Sequence, residues 1–502
     1  GNMNAVLSKY VKDNYPNGKA DLFAVFMEVA KSLLSVYGKY GMINMQSWMF
    51  LSSFETLRTN MLKETCIDSM LHLGPHTFDE LSGEVVQNTA FVITNSKPTT
   101  STCGVYYRLV AGGNCYTKES MFLDPEDIDD EIAEDRQVYY PNVSQQNFEK
   151  IPGCPIGYWI GEKMIIHFKQ DQTLDKIADL RSGISTGDNN RFYRYWTECN
   201  ADKIAKRFDE TPFNSTYKWY KIIRGGNFRR WYGCCDNVIN LENKCNEITN
   251  SGLNHRLRTP QYYNKIGITW NRISSGELGF RLKCKEFNFG ENSPCLFLYD
   301  NNNIELLLSI LNSKGMGIIL RSLNPTLSNQ VADLPITFEI QNKQQIISVV
   351  QQNISISKAD WNSHETSWDF QCNEIVALDS EKKYIDTING IYEGTGVMVD
   401  LAAPQLDSLQ WRTEIFKQKW ADKFHRLHVN EEELNRQFID IYGLQDELTP
   451  NVPISEITIL QQGEISIMPE GSYCGTLVWH DDVLMKQLVS YAIGVWVGRY
   501  RL

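Results

Sequence analysis

Lys19-Ala-Asp-Leu-Phe-Ala-Val-Phe-Met-Glu-Val-Ala-Lys-Ser-Leu-Leu34, then Tyr37-Gly-Lys-Tyr40 and Gly41-Met-Ile-Asn-Met45, is the stretch on which the fold turns. Leu22, Phe23, Phe26, Val29, Ala30, Leu33 and Leu34 recur at helical spacing, which predicts an amphipathic helix with those residues inward. A turn at 37–40 and a short apolar strand at 41–45 follow. Ser52 and Glu55 have the spacing of a capping box, predicting a second helix to about Glu64. Strands are expected at Ile67–Leu73 and Val85–Thr94. Helix, strand, helix, strand, strand is the order of one half of a doubly wound, nucleotide-binding α/β sheet. The expectation is that the first βαβ unit lies outside these residues, so the half cannot close a crevice by itself.

The 502 residues allow three or four domains, and 42% hydrophobic with 22% charged residues is the balance of a globular chain. No signal peptide and no apolar run of membrane-spanning length is evident, so a cytoplasmic protein is expected. The twelve cysteines include no Cys-x-x-Cys pair, and Cys234, Cys235 and Cys245 lack the spacing of a zinc site. Free thiols and no metal are expected. The eight histidines carry no His-Glu-x-x-His or Ser/His/Asp signature.

Net charge is −12, against wholesale coating of nucleic acid, but it is unevenly placed. Asp124–Asp135 holds eight acids and no base. Arg191–Trp231 holds ten Lys/Arg against four acids, a local +6, interleaved with Phe192, Tyr193, Tyr195, Trp196, Tyr217, Trp219, Tyr220, Phe228 and Trp231. Cations for phosphates, with rings and forked guanidinium groups for bases, suit a DNA-reading surface; an ordinary β-rich domain with a basic face fits the composition equally well.

Leu180-Arg-Ser-Gly-Ile-Ser-Thr-Gly-Asp-Asn-Asn-Arg-Phe-Tyr-Arg-Tyr-Trp196, Gly267-Ile-Thr-Trp-Asn-Arg-Ile-Ser-Ser275, Leu311-Asn-Ser-Lys314 and Leu323–Pro335 are similar to successive landmarks of the target-recognition domain in large bacterial DNA adenine-N6 methyltransferases. Gly1–Tyr15, Lys19–Phe26, Ile43–Phe54, Leu71–Pro75, Gly83–Val92, Glu431–Gly443 and Ser490–Gly494 resemble one branch, the PglX-type methyltransferases of BREX phage-exclusion systems. The resemblance implies transfer of a methyl group from S-adenosylmethionine to adenine N6 in double-stranded DNA. It implies that residues 1–110 are the C-terminal half of a Rossmann-like methyltransferase sheet, followed by a mixed α/β target-recognition domain and a helical C-terminal region.

The family's acceptor motif, Asn/Asp-Pro-Pro-Tyr/Phe, and its glycine-rich cofactor turn are both missing: Pro-Pro occurs nowhere, and Thr259-Pro-Gln-Tyr-Tyr263 lacks the acceptor and the second proline. Gly394-Thr-Gly396 follows a poor strand and is a decoy. The resemblance would put the tetrapeptide just before Gly1. The missing N-terminal portion is therefore an expected partner, and the fragment alone is not expected to bind S-adenosylmethionine. Other phage-defence proteins are possible partners. A non-catalytic DNA-binding or assembly module is the alternative.

The resemblance puts Lys19, Asp21 and Phe23 at the edge of the cofactor and target pockets, although Asp21 as a helix cap and Phe23 as core fit equally well. Phe78, in the loop 75–84, is the candidate aromatic for an extruded adenine. Gln46, Ser47 and Trp48 follow a strand's carboxyl end, the usual crevice edge. For DNA the candidates are Asn189, Arg191, Arg194, Lys221, Arg224, Asn227, Arg229 and Arg230; Asn324, Thr326, Asn329 and Gln330 are further candidates, although turn and capping groups are the slightly better reading of them. The expected organisation is a partial catalytic domain at 1–110, an acidic connector at 111–175, the recognition domain at 176–338, a helical spacer and linker at 339–372, and a mostly helical, truncated region at 373–502. Within that last region, Trp411–Leu427 and Asn430–Tyr442 are predicted as a helical pair, the second capped by Asn430.

Overall fold

The computed structural model describes residues 3–78, 86–125, 137–170, 172–205, 217–257, 260–263, 265–272, 278–323, 331–377, 408–471 and 473–500. It is a mixed α/β structure with several sheets, and it divides into two compact units. Unit 1 comprises residues 1–176, 315–337 and 439–449; unit 2 comprises residues 177–314, 338–438 and 450–502.

In unit 1, α1 (Ala5–Asn14) and α2 (Leu22–Ser32) precede β1 (Lys39–Met45), α3 (Glu55–Glu64), β2 (Cys66–Gly74) and β3 (Asn88–Thr94). This is the order of elements expected from the sequence. β3 lies between β1 and β2 and is antiparallel to both, so β1 and β2 run parallel, linked by the crossover that contains α3. β4 (Cys103–Arg108) joins β2 in parallel and β5 (Tyr139–Ser144) joins β4 antiparallel, giving the order β1-β3-β2-β4-β5. Residues expected to form a connector thus add a strand to this sheet, and β6 (Gln172–Thr173) pairs separately with Pro335–Ile336.

Trp48, Phe54, Leu57, Met61, Met70, Phe91, Ile93 and Tyr106 pack one face of the sheet with Ala24 and Met27 of α2. The opposite face is covered at β2 and β4 by Leu109, Met121 and Val138 against Leu71, Leu73 and Tyr107. At β1, among the described residues, Ile43 and Met45 are exposed, and β1 is an edge strand.

Two local expectations change. The buried side of α2 is Ala24, Val25 and Met27, whereas Phe26 and Leu33 are exposed. A Cβ on Gly18 would lie 2.8 Å from the Ala24 backbone, so glycine at 18 lets the preceding loop approach this side of α2 closely. The capping box is not formed either, because Ser52–Phe54 makes a 3₁₀ turn and Glu55 opens α3 as its first residue.

Unit 2 holds two four-stranded sheets. One has the order β13 (Asn288–Phe289), β9 (Trp219–Ile223), β10 (Asn237–Asn240), β8 (Tyr193–Tyr195). The other has the order β12 (Arg281–Lys283), β11 (Gly267–Thr269), β14 (Cys295–Leu298), β7 (Ala178–Arg181). Phe192, Tyr220, Ile222, Ile239, Tyr263, Phe289 and Phe297 fill the core between them. The predicted helical pair is one helix, Leu409–Ile441. Asn430 does not interrupt it: its amide turns sideways to Asn353 Oδ1 at 2.8 Å, and no glycine or proline breaks the run.

Candidate functional site

In unit 1 the chemistry gathers at the carboxyl ends of the parallel strands. β1 ends at Met45, β2 at Gly74 and β4 at Arg108, and the antiparallel β3 begins beside them at Asn88. Gln46, His72, Gln87 and Arg108 therefore meet at one end of the sheet. His72 is 4% exposed, with Nε2 2.7 Å from Gln46 Oε1 and Nδ1 3.0 Å from the Tyr158 hydroxyl. Gln46 in turn donates its amide to Gln87 Oε1. Burial, with Arg108 and Lys118 nearby, holds the His72 pKa well below its ordinary value. Trp159 stacks on His72, and the Arg108 guanidinium lies 4.8 Å from the Trp159 ring centre.

Behind this edge two buried cations organise the loops. Arg58, 1% exposed, donates to the carbonyls of Trp48, Leu51, Gly153 and Cys154, and burial lowers its pKa to about 10. Lys118 donates to the carbonyls of Leu109 and Gly112 just past β4, and burial lowers its pKa to about 8.

Of the residues singled out in the sequence, Phe78 follows β2 at this end and is exposed. Trp48 is core, its Nε1 donating to Asn44 Oδ1 at 3.0 Å. Lys19 is exposed. Asp21 is the N-cap residue of α2, accepting through its backbone carbonyl from Ala24 and Val25. Phe23 packs on Phe54 with ring centres 5.3 Å apart. Sequence reasoning missed His72, Gln87, Arg108, Tyr158 and Trp159 as members of this cluster. The signal available was His72 itself, inside the matched block Leu71–Pro75; its partners come from residues 26 and 86 positions away.

In unit 2 the basic stretch divides into an outward and an inward set. Asn189 and Arg191 lie exposed on the short helix Asn189–Phe192, opened by Asp188, whose Oδ1 accepts from Arg191 N at 3.0 Å. Arg194, on β8, holds the carbonyls of Asn190 and Tyr193. Arg224 lies over the Tyr193 ring at 4.9 Å, and Asn227 is exposed. Lys221 is tucked over Trp368 at 4.5 Å, and Trp368 itself stacks on Trp196.

Arg229 and Arg230 depart from expectation, because both point inward. Arg229 Nη2 pairs with Asp360 Oδ2 at 2.6 Å, their side chains being 7% and 1% exposed. Arg230 pairs with Glu431 at 2.8 Å and Glu456 at 3.0 Å. Trp231 Nε1 also donates to Glu431, at 2.7 Å. A guanidinium neutralised inside the protein has no free charge for a phosphate. Asn324, Thr326, Asn329 and Gln330 lie outside the described residues, as do Lys206 and Arg207.

Residues 1–78 match the family described as Eco57I restriction-modification methylase. Along its whole length the chain is related to PglX-type adenine-specific methyltransferases. It is 34% identical to the adenine-specific methyltransferase PglX of Lacticaseibacillus casei (strain Zhang), covering 100% of this chain and 39% of that protein. It is 31% identical to the adenine-specific methyltransferase BrxX of Escherichia coli O9:H4 (strain HS), covering 100% of this chain and 37% of that protein. The chain thus spans about two fifths of the length of the curated relatives it matches. Among solved structures, the type IIL restriction-modification enzyme MmeI in complex with DNA aligns with a TM-score of 0.44 and 10% identity, over 84% of this chain and 55% of that one.

Proposed function

We propose that this chain is the DNA-reading part and one side of the target pocket of an adenine-N6 DNA methyltransferase acting in BREX-type phage defence. The observation that carries the reading is the end-to-end relatedness to two adenine-specific methyltransferases. The edge strand β1, with Ile43, Met45 and Phe26 exposed among the described residues, supports the view that unit 1 is the C-terminal half of a Rossmann-like sheet, paired through β1 with the missing N-terminal portion.

Adenine N6 is paired inside the duplex stack, so the base must be swung out before it can react. Phe78, at the crevice end of β2, is placed to stack on such a base. The cluster of His72, Gln46, Gln87 and Tyr158 holds the strand ends rigid around it. S-adenosylmethionine is the methyl donor by kinship. The residues present do not make its site: Phe23 is engaged by Phe54, Asp21 caps a helix through its backbone, and no glycine-rich turn or Pro-Pro occurs. In unit 2, Asn189, Arg191, Arg194, Arg224 and Asn227 form the surface for double-stranded DNA, with Lys221 a lesser contributor because it lies against Trp368.

The test is a pair of titrations of the chain, one with duplex DNA across a range of salt and one with S-adenosylmethionine by calorimetry. Duplex affinity should fall with salt, each phosphate contact contributing a slope of roughly −0.9 in log K against log salt. Salt-independent or undetectable duplex binding refutes the DNA half of the proposal. Saturable S-adenosylmethionine binding at micromolar concentration refutes the divided pocket.

A further inference from the structure

The motif Gly267-Ile-Thr-Trp-Asn-Arg272 has no role in the surface described so far. Its centre, Asn271, lies just past β11, between two anchored neighbours. Trp270 is fully buried with its ring on Phe280, and Arg272 N donates to Asn292 O at 2.9 Å. The Asn271 amide faces two ways. Its Oδ1 accepts from Arg281 Nη2 at 2.7 Å, and its Nδ2 donates to the carbonyl of Gly226 at 2.7 Å and to that of Asn227 at 3.4 Å. Arginine has no acceptor, so the amide cannot be turned over: oxygen must face Arg281 and nitrogen must face the loop. Arg281 is 1% exposed and also donates to Arg229 O, which ties this contact to the core of unit 2.

The loop receiving that amide is the one that presents Arg224 and Asn227. Gly225 has φ +106°, a conformation that strongly favours glycine. A Cβ on Gly226 would stand 2.7 Å from Cys234 Sγ, so the loop is pressed against Cys234 at that point. The thiol of Cys234 also points at Asn227 O, 3.7 Å away. Backbone shape, close packing and the Asn271 amide thus act on three consecutive residues. The exposed Asn227 side chain leaves from the end of this clamp.

We propose that Asn271 is a positioning residue for DNA sequence reading: it relays the fixed place of Arg281 to the Gly226 and Asn227 carbonyls, and so sets where Asn227 meets a base edge. This rests on the DNA surface proposed above and extends it. A bidentate asparagine contact depends on both distance and angle, so a loosened loop forfeits discrimination first. Phosphate contacts made by Arg191 and Arg224 tolerate small displacements and carry no sequence information.

The test uses Asn271→Asp, which keeps an acceptor for Arg281 but replaces the donating amide with a charged carboxylate oxygen that repels the Gly226 and Asn227 carbonyls. Asn271→Ala is the second variant. Wild type, both variants and Arg224→Ala are each incubated with a randomised duplex pool, and the bound fraction is sequenced. The expected result is a roughly tenfold loss of preference at one or two adjacent base positions in Asn271→Asp. In Asn271→Ala, which adds no charge, the same preference should be lost with total affinity and salt slope unchanged, and in both variants hydrogen exchange should quicken over residues 225–228. Arg224→Ala should instead lower total affinity and reduce the salt slope. If Arg224→Ala has its effect but both Asn271 variants enrich the wild-type motif, the inference fails and the surface stands. If Arg224→Ala also changes nothing, or wild type enriches no motif, the surface fails and the inference with it. Unfolding of both Asn271 variants overturns the inference, since a positioning role requires the fold to survive.

Discussion

The Nε2–H of His72 points at Oε1 of Gln46, and this one contact fixes the direction of a buried hydrogen-bond chain. Gln46 uses its amide nitrogen toward Gln87, so its oxygen must face His72. His72 is therefore protonated on Nε2, and its Nδ1 accepts from the Tyr158 hydroxyl. The hydrogens run one way, from Tyr158 through His72 and Gln46 to Gln87, across the strand ends where the pocket edge is proposed.

A histidine in that position stays neutral. Its folded pKa lies well below the ordinary value, first through burial and then through Arg108 and Lys118. We expect nitrogen-resolved NMR to show the neutral Nε2–H tautomer of His72 throughout the range from about pH 5.5 to 8. A titration midpoint near the ordinary histidine value of about 6.5 would contradict the assignment.

Arg58 should be among the most destabilising positions in unit 1. Replacing it with alanine leaves the carbonyls of Trp48, Gly153 and Cys154 without the guanidinium donor, while that of Leu51 keeps the Phe54 N–H at 3.1 Å. At roughly 1–3 kcal/mol for each buried group left unpaired, the loss should reach about 3 kcal/mol or more. Urea unfolding followed by tryptophan fluorescence measures it, and a loss below about 1 kcal/mol would show that water replaces the guanidinium.

In unit 2 the pair His364–Glu464, 2.6 Å apart with both side chains buried, predicts a window of pH stability. Burial alone would lower the His364 pKa, but the hydrogen bond to Glu464 and the charge of Asp360 outweigh it and raise the value above 6.5. Its stabilising contribution is complete below 6.5 and is lost as pH rises through the folded value. Burial would raise Glu464, yet His364 and Gln487 bring it down to about 2, so its contribution is complete above 4.5 and is lost as pH falls toward 2. Both contributions are full between 4.5 and 6.5. Denaturant unfolding should show unit 2 weakening as pH rises above 6.5, and His364→Gln should flatten that limb. An unchanged slope in the variant would remove His364 as its source.

The arginines of the basic stretch should separate into two phenotypes. Arg229→Ala strands Asp360 inside the protein and should cost about 3–5 kcal/mol of stability. Arg191→Ala and Arg224→Ala should leave the melting temperature within a few degrees and each reduce the salt slope of duplex binding by roughly one unit. Thermal melting and salt-series titration of the three proteins decide it. The assignment collapses if Arg229→Ala melts like wild type while losing DNA affinity.

The order of elements from α2 to β3, the apolar strands of the first sheet and the kinship with adenine-specific methyltransferases were legible in the residues themselves. Each depends on spacing along the chain or on matched blocks of sequence, which are properties of neighbours. Even there the rotation of α2 was misjudged, because periodicity locates an apolar stripe but not which shoulder of it meets a close-packed sheet. The tertiary structure decided which of the described cations between 191 and 231 face outward. Arg229 and Arg230 look no different in sequence from Arg224, yet their acids come from residues 360, 431 and 456, more than a hundred positions away. His72 found Gln46 and Tyr158 in the same way, and Asn271 found Gly226. A charge or an amide acquires its role from the partner that folding brings within about 3 Å, and local sequence does not encode that partner.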